Sequence, residues 1–158
     1  MSIKRYAPEI YFPSIKYLPG EGVHPAKAPA ETIQDTLYEK ISFDRGFYFA
    51  LDLFNAGFYW EVHEFLERYW HRETNPEVRL VLQILIQLSA LAIKKIKNQT
   101  GGVPGLLIAV ESKLDQLQKQ NFENYRGLKI SDIRSWIERW QQIQINQLVL
   151  ELGVQSHI

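Results

Sequence analysis

The chain of 158 residues contains no cysteine. That absence excludes disulfides, thiolate metal centres and cysteine nucleophiles together. Any metal must be held by histidine, carboxylates, carbonyls or water. An excess of one charge is also missing, since Lys+Arg and Asp+Glu number 18 each. No overall field recruits nucleic acid or an acidic membrane, and neither is expected as a partner. The longest mostly apolar run, Leu80–Ile93, is interrupted by Gln83, Gln87 and Ser89 and reads as too short to span a bilayer. The N-terminal MSIKRYAPEIYF lacks the continuous apolar stretch of a secretory signal, so the expected compartment is the cytoplasm. Proline is scarce beyond residue 30, where only Pro76 and Pro104 occur. Helices can run there without interruption.

The five remaining prolines, Pro8, Pro13, Pro19, Pro25 and Pro29, crowd the first 30 residues. They predict an extended arm, and Tyr6, Tyr11, Phe12 and Tyr17 give it the means to wrap on a domain. A short helix is expected over 31–38. Phe43, Phe47, Ala50, Leu51 and Phe54 recur at three- and four-residue steps and predict a helix over 43–55, with Ser42 as N-cap and Asn55-Ala56-Gly57 as its stop. Further helices are expected over 58–72 and 76–98, the latter opened by Asn75 and Pro76. Two more are expected over 104–119 and from Ser131 or Asp132 to about Leu150. The segment 80–93 is apolar on nearly all sides and reads as the central helix. No segment has strand periodicity. The expected fold is all-α, an antiparallel bundle of about five helices. Its arm is residues 1–30, its domain 31–150 with a core near 43–120, and its tail 151–158.

Chemistry concentrates in 54–71, FNAGFYWEVHEFLERYWH. On a helical wheel His63, Glu67 and Trp70 share one flank of the apolar stripe, while Glu64 and His71 lie farther toward solvent. An imidazole and a carboxylate one turn apart can chelate one divalent ion or bond to each other. HEFLE lacks the second histidine of the zinc-protease HExxH, so a zinc protease is not expected. Gln83, Gln87 and Lys94 form a polar stripe on the third long helix. Buried amides need partners, so this stripe is expected to face the His63/Glu67 flank.

Asn55, Gly57, Tyr59, Glu61, His63, Glu67 and Trp70, with Gln83 and Gln87 downstream, resemble the hallmark of the DUF309 family. Its members are small all-α bacterial and archaeal proteins of uncharacterised function. Pro19-Gly20 and His24-Pro25 resemble a segment found in many of them, and the resemblance covers about 17–117. It departs at Ile84, where glycine is usual, at Lys94, where histidine is expected, and at Asn98-Gln99, where Gly-Asn is usual. It implies divalent-metal binding at the His/Glu pair.

Two readings follow. In the first, His63 and Glu67 hold a divalent metal such as Zn or Mn, completed by His24, Glu64 or water. Asn55, Trp60, Trp70, Gln83, Gln87 and Lys94 then line a pocket for a small polar ligand, and Glu64 is the candidate base of a metal-dependent hydrolase. In the second, the cluster is a structural polar network in a non-enzymatic interaction module. The arm aromatics and Trp136/Trp140 would then bind a partner or a second copy as a homo-oligomer.

Overall fold

The computed structural model describes residues 3–21, 38–142 and 150. His24, the short helix expected over 31–38 except its last residue, the end of the last helix and the tail lie outside them. Five helices are described: α1 (Phe43–Asn55), α2 (Tyr59–Arg72), α3 (Pro76–Ile96), α4 (Val103–Lys119) and α5 (Ile130–Gln142). A two-stranded hairpin, β1 (Asn124–Tyr125) and β2 (Leu128–Lys129), joins the last two. The fold is an all-α bundle: α1 packs on α2, α2 on α3 and α3 on α4.

Local signals set the helix ends. Asn75 accepts a hydrogen bond from the Val78 N–H at 3.1 Å, and Pro76 occupies the first turn, as expected. Ser42 stands at the N-cap of α1 but makes no side-chain cap bond; its carbonyl, at 2.7 Å from Gly46 N, opens the helix instead. At the C-terminus of α1, Gly57 takes φ +85° while Phe58 N bonds Leu53 O and Gly57 N bonds Phe54 O. That is a Schellman stop. The same pair of bonds recurs around Asn98 (φ +53°) and Asn121 (φ +55°), ending α3 and α4. Asparagine is the residue besides glycine that visits this region most readily.

The central helix is α1, not α3. Nine residues of α1 are buried, among them Phe47, Phe49, Ala50, Leu51, Leu53 and Phe54. Each large side chain of that set contributes about 1.5–3 kcal/mol by leaving water. The neighbours close around it from all sides. Phe12 of the arm stacks on Phe49 at 6.3 Å, Tyr125 of the hairpin meets Phe47 at 4.9 Å, and Trp136 of α5 meets Phe54 at 5.3 Å. On α3 the buried residues span one broad arc, Val81, Leu82, Ile84, Leu85, Leu88, Ser89, Leu91 and Ala92. Its 21 residues, with mean hydropathy 1.5 in the most apolar window, do match a membrane-crossing helix in length and composition. The core helix of a packed bundle meets the same description.

The stretch between the helices expected over 104–119 and from Ser131 or Asp132 forms this hairpin, where no strand was expected. Arg126 (φ +52°) and Gly127 (φ +93°) both take the left-handed region, which is the requirement of a type I′ turn. Asn124 Oδ1 accepts from Gly127 N at 2.9 Å and steadies it. Strands of two residues are too short to show an alternating pattern.

The arm crosses the bundle as a strap. Asp52, 1% exposed on α1, receives Arg5 Nε, Tyr6 N and Ala7 N at 2.7–2.9 Å. Farther along, Tyr17 N donates to Glu61 on α2, and the Lys97 ammonium on α3 donates to the Pro19 carbonyl.

Candidate functional site

The first turns of α2 carry a donor group. His63, Glu64 and Glu67 each offer a ligand atom, and the three atoms lie within 4.8 Å of one another. His63 Nδ1 stands 3.4 Å from Glu64 Oε1, with the two side chains 41% and 47% exposed. Glu67 Oε1 lies 3.6 Å from His71 Nε2. Both separations are too long for good hydrogen bonds. These are therefore polar atoms gathered at a surface without being consumed by one another.

The donor set was tested against a divalent ion by its distances. Nitrogen and carboxylate oxygen bind zinc at about 2.0–2.2 Å, so donors sharing an ion lie no more than roughly 4.4 Å apart. The observed spread exceeds that by a few tenths of an ångström. Half-exposed glutamates close such a gap by rotating about χ angles at little cost. One imidazole and two carboxylates form an oxygen-rich set that suits Zn or Mn and leaves open positions for water.

The wheel had turned Glu64 toward solvent, as the candidate base. A wheel fixes the direction of Cβ, and Glu64 bends its carboxylate back to His63.

The other residues expected at the site are distributed over the molecule. Trp70 is engaged by α3: the Arg79 guanidinium lies 4.8 Å over its ring and donates to its carbonyl at 2.7 Å. Trp60 meets Tyr17 edge-on at 4.7 Å, beneath the arm. Asn55 was expected to line the pocket. Its amide is instead committed to the backbone of Leu150, donating to the carbonyl at 2.7 Å and accepting from the N–H at 2.6 Å. The reason is position: the last residue of α1 is 7% exposed beneath that segment, and a buried amide must be matched on both sides. Lys94 donates to Gly101 O at 2.6 Å, in the turn before α4. Gln83 and Gln87 are half-buried on α3. At about 100° per residue they fall roughly opposite the centre of its buried arc, on the outer half of the helix. Gln87 Oε1 is buried without a hydrogen-bond partner.

Sequence reasoning named Glu61 in the motif and gave it no role. It lies on the flank of α2 opposite His63, at the arm. Glu61 Oε1 accepts from Tyr17 N at 2.6 Å, while Oε2 is buried with no partner among the described residues. Burial pushes its carboxyl above the ordinary value of 4.5, against the Tyr17 hydrogen bond and the Lys16 charge. The available signal was an acid flanking the apolar stripe in the first turn of a helix. Next to it, burial pushes the Tyr59 phenol up to about 12, so Tyr59 stays protonated and is no base at neutral pH.

The fold and this face define a class: a small helical bundle that presents an imidazole and two carboxylates on the outside of its second helix. Residues 47–103 match the family model described as a domain of unknown function (DUF309). The matched stretch runs from mid-α1 through α3 to the first residue of α4, and over it the chain is similar to that family. No curated protein and no solved structure matches the chain.

Proposed function

We propose that the outer face of α2 binds a divalent cation through His63, Glu64 and Glu67. The observation that carries this reading is the gathering of three ligand atoms within 4.8 Å, from side chains that make no strong bond to one another. A divalent ion there would supply Lewis-acid chemistry, lowering the pKa of its bound water. The proposal is one of binding. With Glu64 among the donors, the neighbouring titratable group on this face is His71, 3.6 Å from Glu67.

The structural-network reading draws less support. A partly exposed His–Glu contact contributes about 0–1 kcal/mol, too little to fix how helices register. The test is calorimetric titration of chelator-stripped protein with Zn²⁺ and with Mn²⁺. One site per chain is expected, weakened at least about tenfold in His63→Ala and in Glu67→Gln. Melting of the metal-free variants should stay close to that of the wild type. Absence of saturable binding of either ion overturns the proposal.

A further inference from the structure

A cleft of about 520 Å³ opens where the end of α3, the start of α4 and the end of α5 meet. Its charged lining residues are Lys94 and Lys95 alone; Asn98, Gln99, Thr100, Gln141 and the indole of Trp140 add polar groups. Among the described residues no carboxylate lines it, although the chain as a whole is neutral. Among the described residues, every cation–carboxylate pair outside the histidines uses an arginine, as in Arg5–Asp52 and Arg134–Glu111. These two lysines are left to other partners. Lys94 donates to one carbonyl and keeps two protons to give. Lys95 lies 4.9 Å over the Trp140 ring, and burial lowers its pKa. Trp140 is only 7% exposed, and its Nε1–H is buried with no acceptor among the described residues. An orphaned indole donor is uncommon, since a buried Trp N–H usually finds a partner. The wall is completed by the first turn of α4, which has neither a side-chain cap nor an acidic residue. Two ammonium groups thus share one cleft.

We infer that this cleft is a binding site for a phosphate-bearing small molecule. Two ammonium groups in one cleft are groups that hold phosphate oxygens. The volume falls within the range of small-molecule pockets, about 300–1,000 Å³. Val103, Pro104 and Leu107 give it an apolar side for the ligand's carbon skeleton. With two cations it is too sparsely charged for a nucleic-acid backbone, whose affinity rises with each phosphate neutralised.

The site is independent of the α2 metal group, so the test is run with chelator present. Full-length protein is titrated with inorganic pyrophosphate and binding is followed by calorimetry. Saturable one-to-one binding is expected, weakened about tenfold in Lys95→Gln and in Lys94→Gln. Lys119→Gln, an exposed lysine at the far end of α4, and His63→Ala should bind like the wild type. Failure to bind pyrophosphate, or equal weakening by Lys119→Gln, overturns the inference. So does unchanged binding in Lys95→Gln with unaltered melting.

Discussion

Two carboxylates hold the N-terminal arm, and they are matched to opposite degrees. Asp52 on α1 is 1% exposed, and its two oxygens receive one guanidinium and two backbone N–H groups. Glu61 on α2 receives one backbone N–H on Oε1 and, among the described residues, nothing on Oε2. A buried anion is tolerable when its lone pairs are met by donors and costly when they are not. Asp52 is therefore a finished structural joint, and Glu61 an unfinished one whose acid form is favoured by burial. A helix-borne acid is informative for function when its environment leaves part of it unmatched.

The largest effect should come from breaking the finished joint. Asp52→Ala strands Arg5 and the N–H groups of Tyr6 and Ala7, and removing one side of a buried, paired charge costs about 3–5 kcal/mol. Urea denaturation should show the midpoint falling by that loss. A midpoint within error of the wild type would mean that the arm adds nothing to stability. Arg5→Ala should cost less, on the order of 1.5–3 kcal/mol, the range of a hydrogen bond to a charged group. It leaves Asp52 with two donors. It also removes the bonds from Arg5 Nη2 to the Ala7 and Ile10 carbonyls and the guanidinium 3.9 Å over Phe12. If Arg5→Ala proved as damaging as Asp52→Ala, the backbone donors would be idle and the joint a simple ion pair.

The two joints differ equally in how far the sequence betrayed them. Helix existence and most ends were legible because local chemistry sets them: Asn75-Pro76 opens α3, and Gly57 closes α1 in the left-handed conformation. The identity of the central helix was not. Periodicity measures how apolar a face is, and α3 is the more apolar helix, but enclosure depends on what the arm, hairpin and α5 bring to α1. Asp52 sits inside the apolar stripe of α1, where an acid has no local partner. Its partners lie 45 to 47 residues away in an irregular arm. On α2 the His63/Glu67 spacing located the donor face, while the wheel could not follow the bend of the Glu64 side chain. Lys94 was read as a residue of that face because stripes continue along a helix. At the end of α3 it bonds instead to the turn that follows.

The smallest expected effect is the most discriminating. Glu61→Gln keeps an oxygen for the Tyr17 N–H and removes the ionisation. Because burial raises the Glu61 carboxyl in the folded protein, the folded state holds this proton more tightly than the unfolded chain does. The stability linked to it is full below the unfolded value near 4.5 and is lost as pH rises through the higher folded value. The wild type should therefore decline relative to the variant from about pH 4.5 toward neutrality, and then hold a constant difference. Paired urea midpoints at pH 4 and pH 7 read this directly. At pH 4 the two proteins should nearly coincide, and at pH 7 the variant should be the more stable. A pH-independent difference, or a wild type favoured at pH 7, would show that Glu61 Oε2 is matched in solution and that the two joints are alike. The sign of one small shift thus decides whether Glu61 belongs with Asp52 as architecture or stands apart as a carboxyl kept unmatched at the edge of the arm.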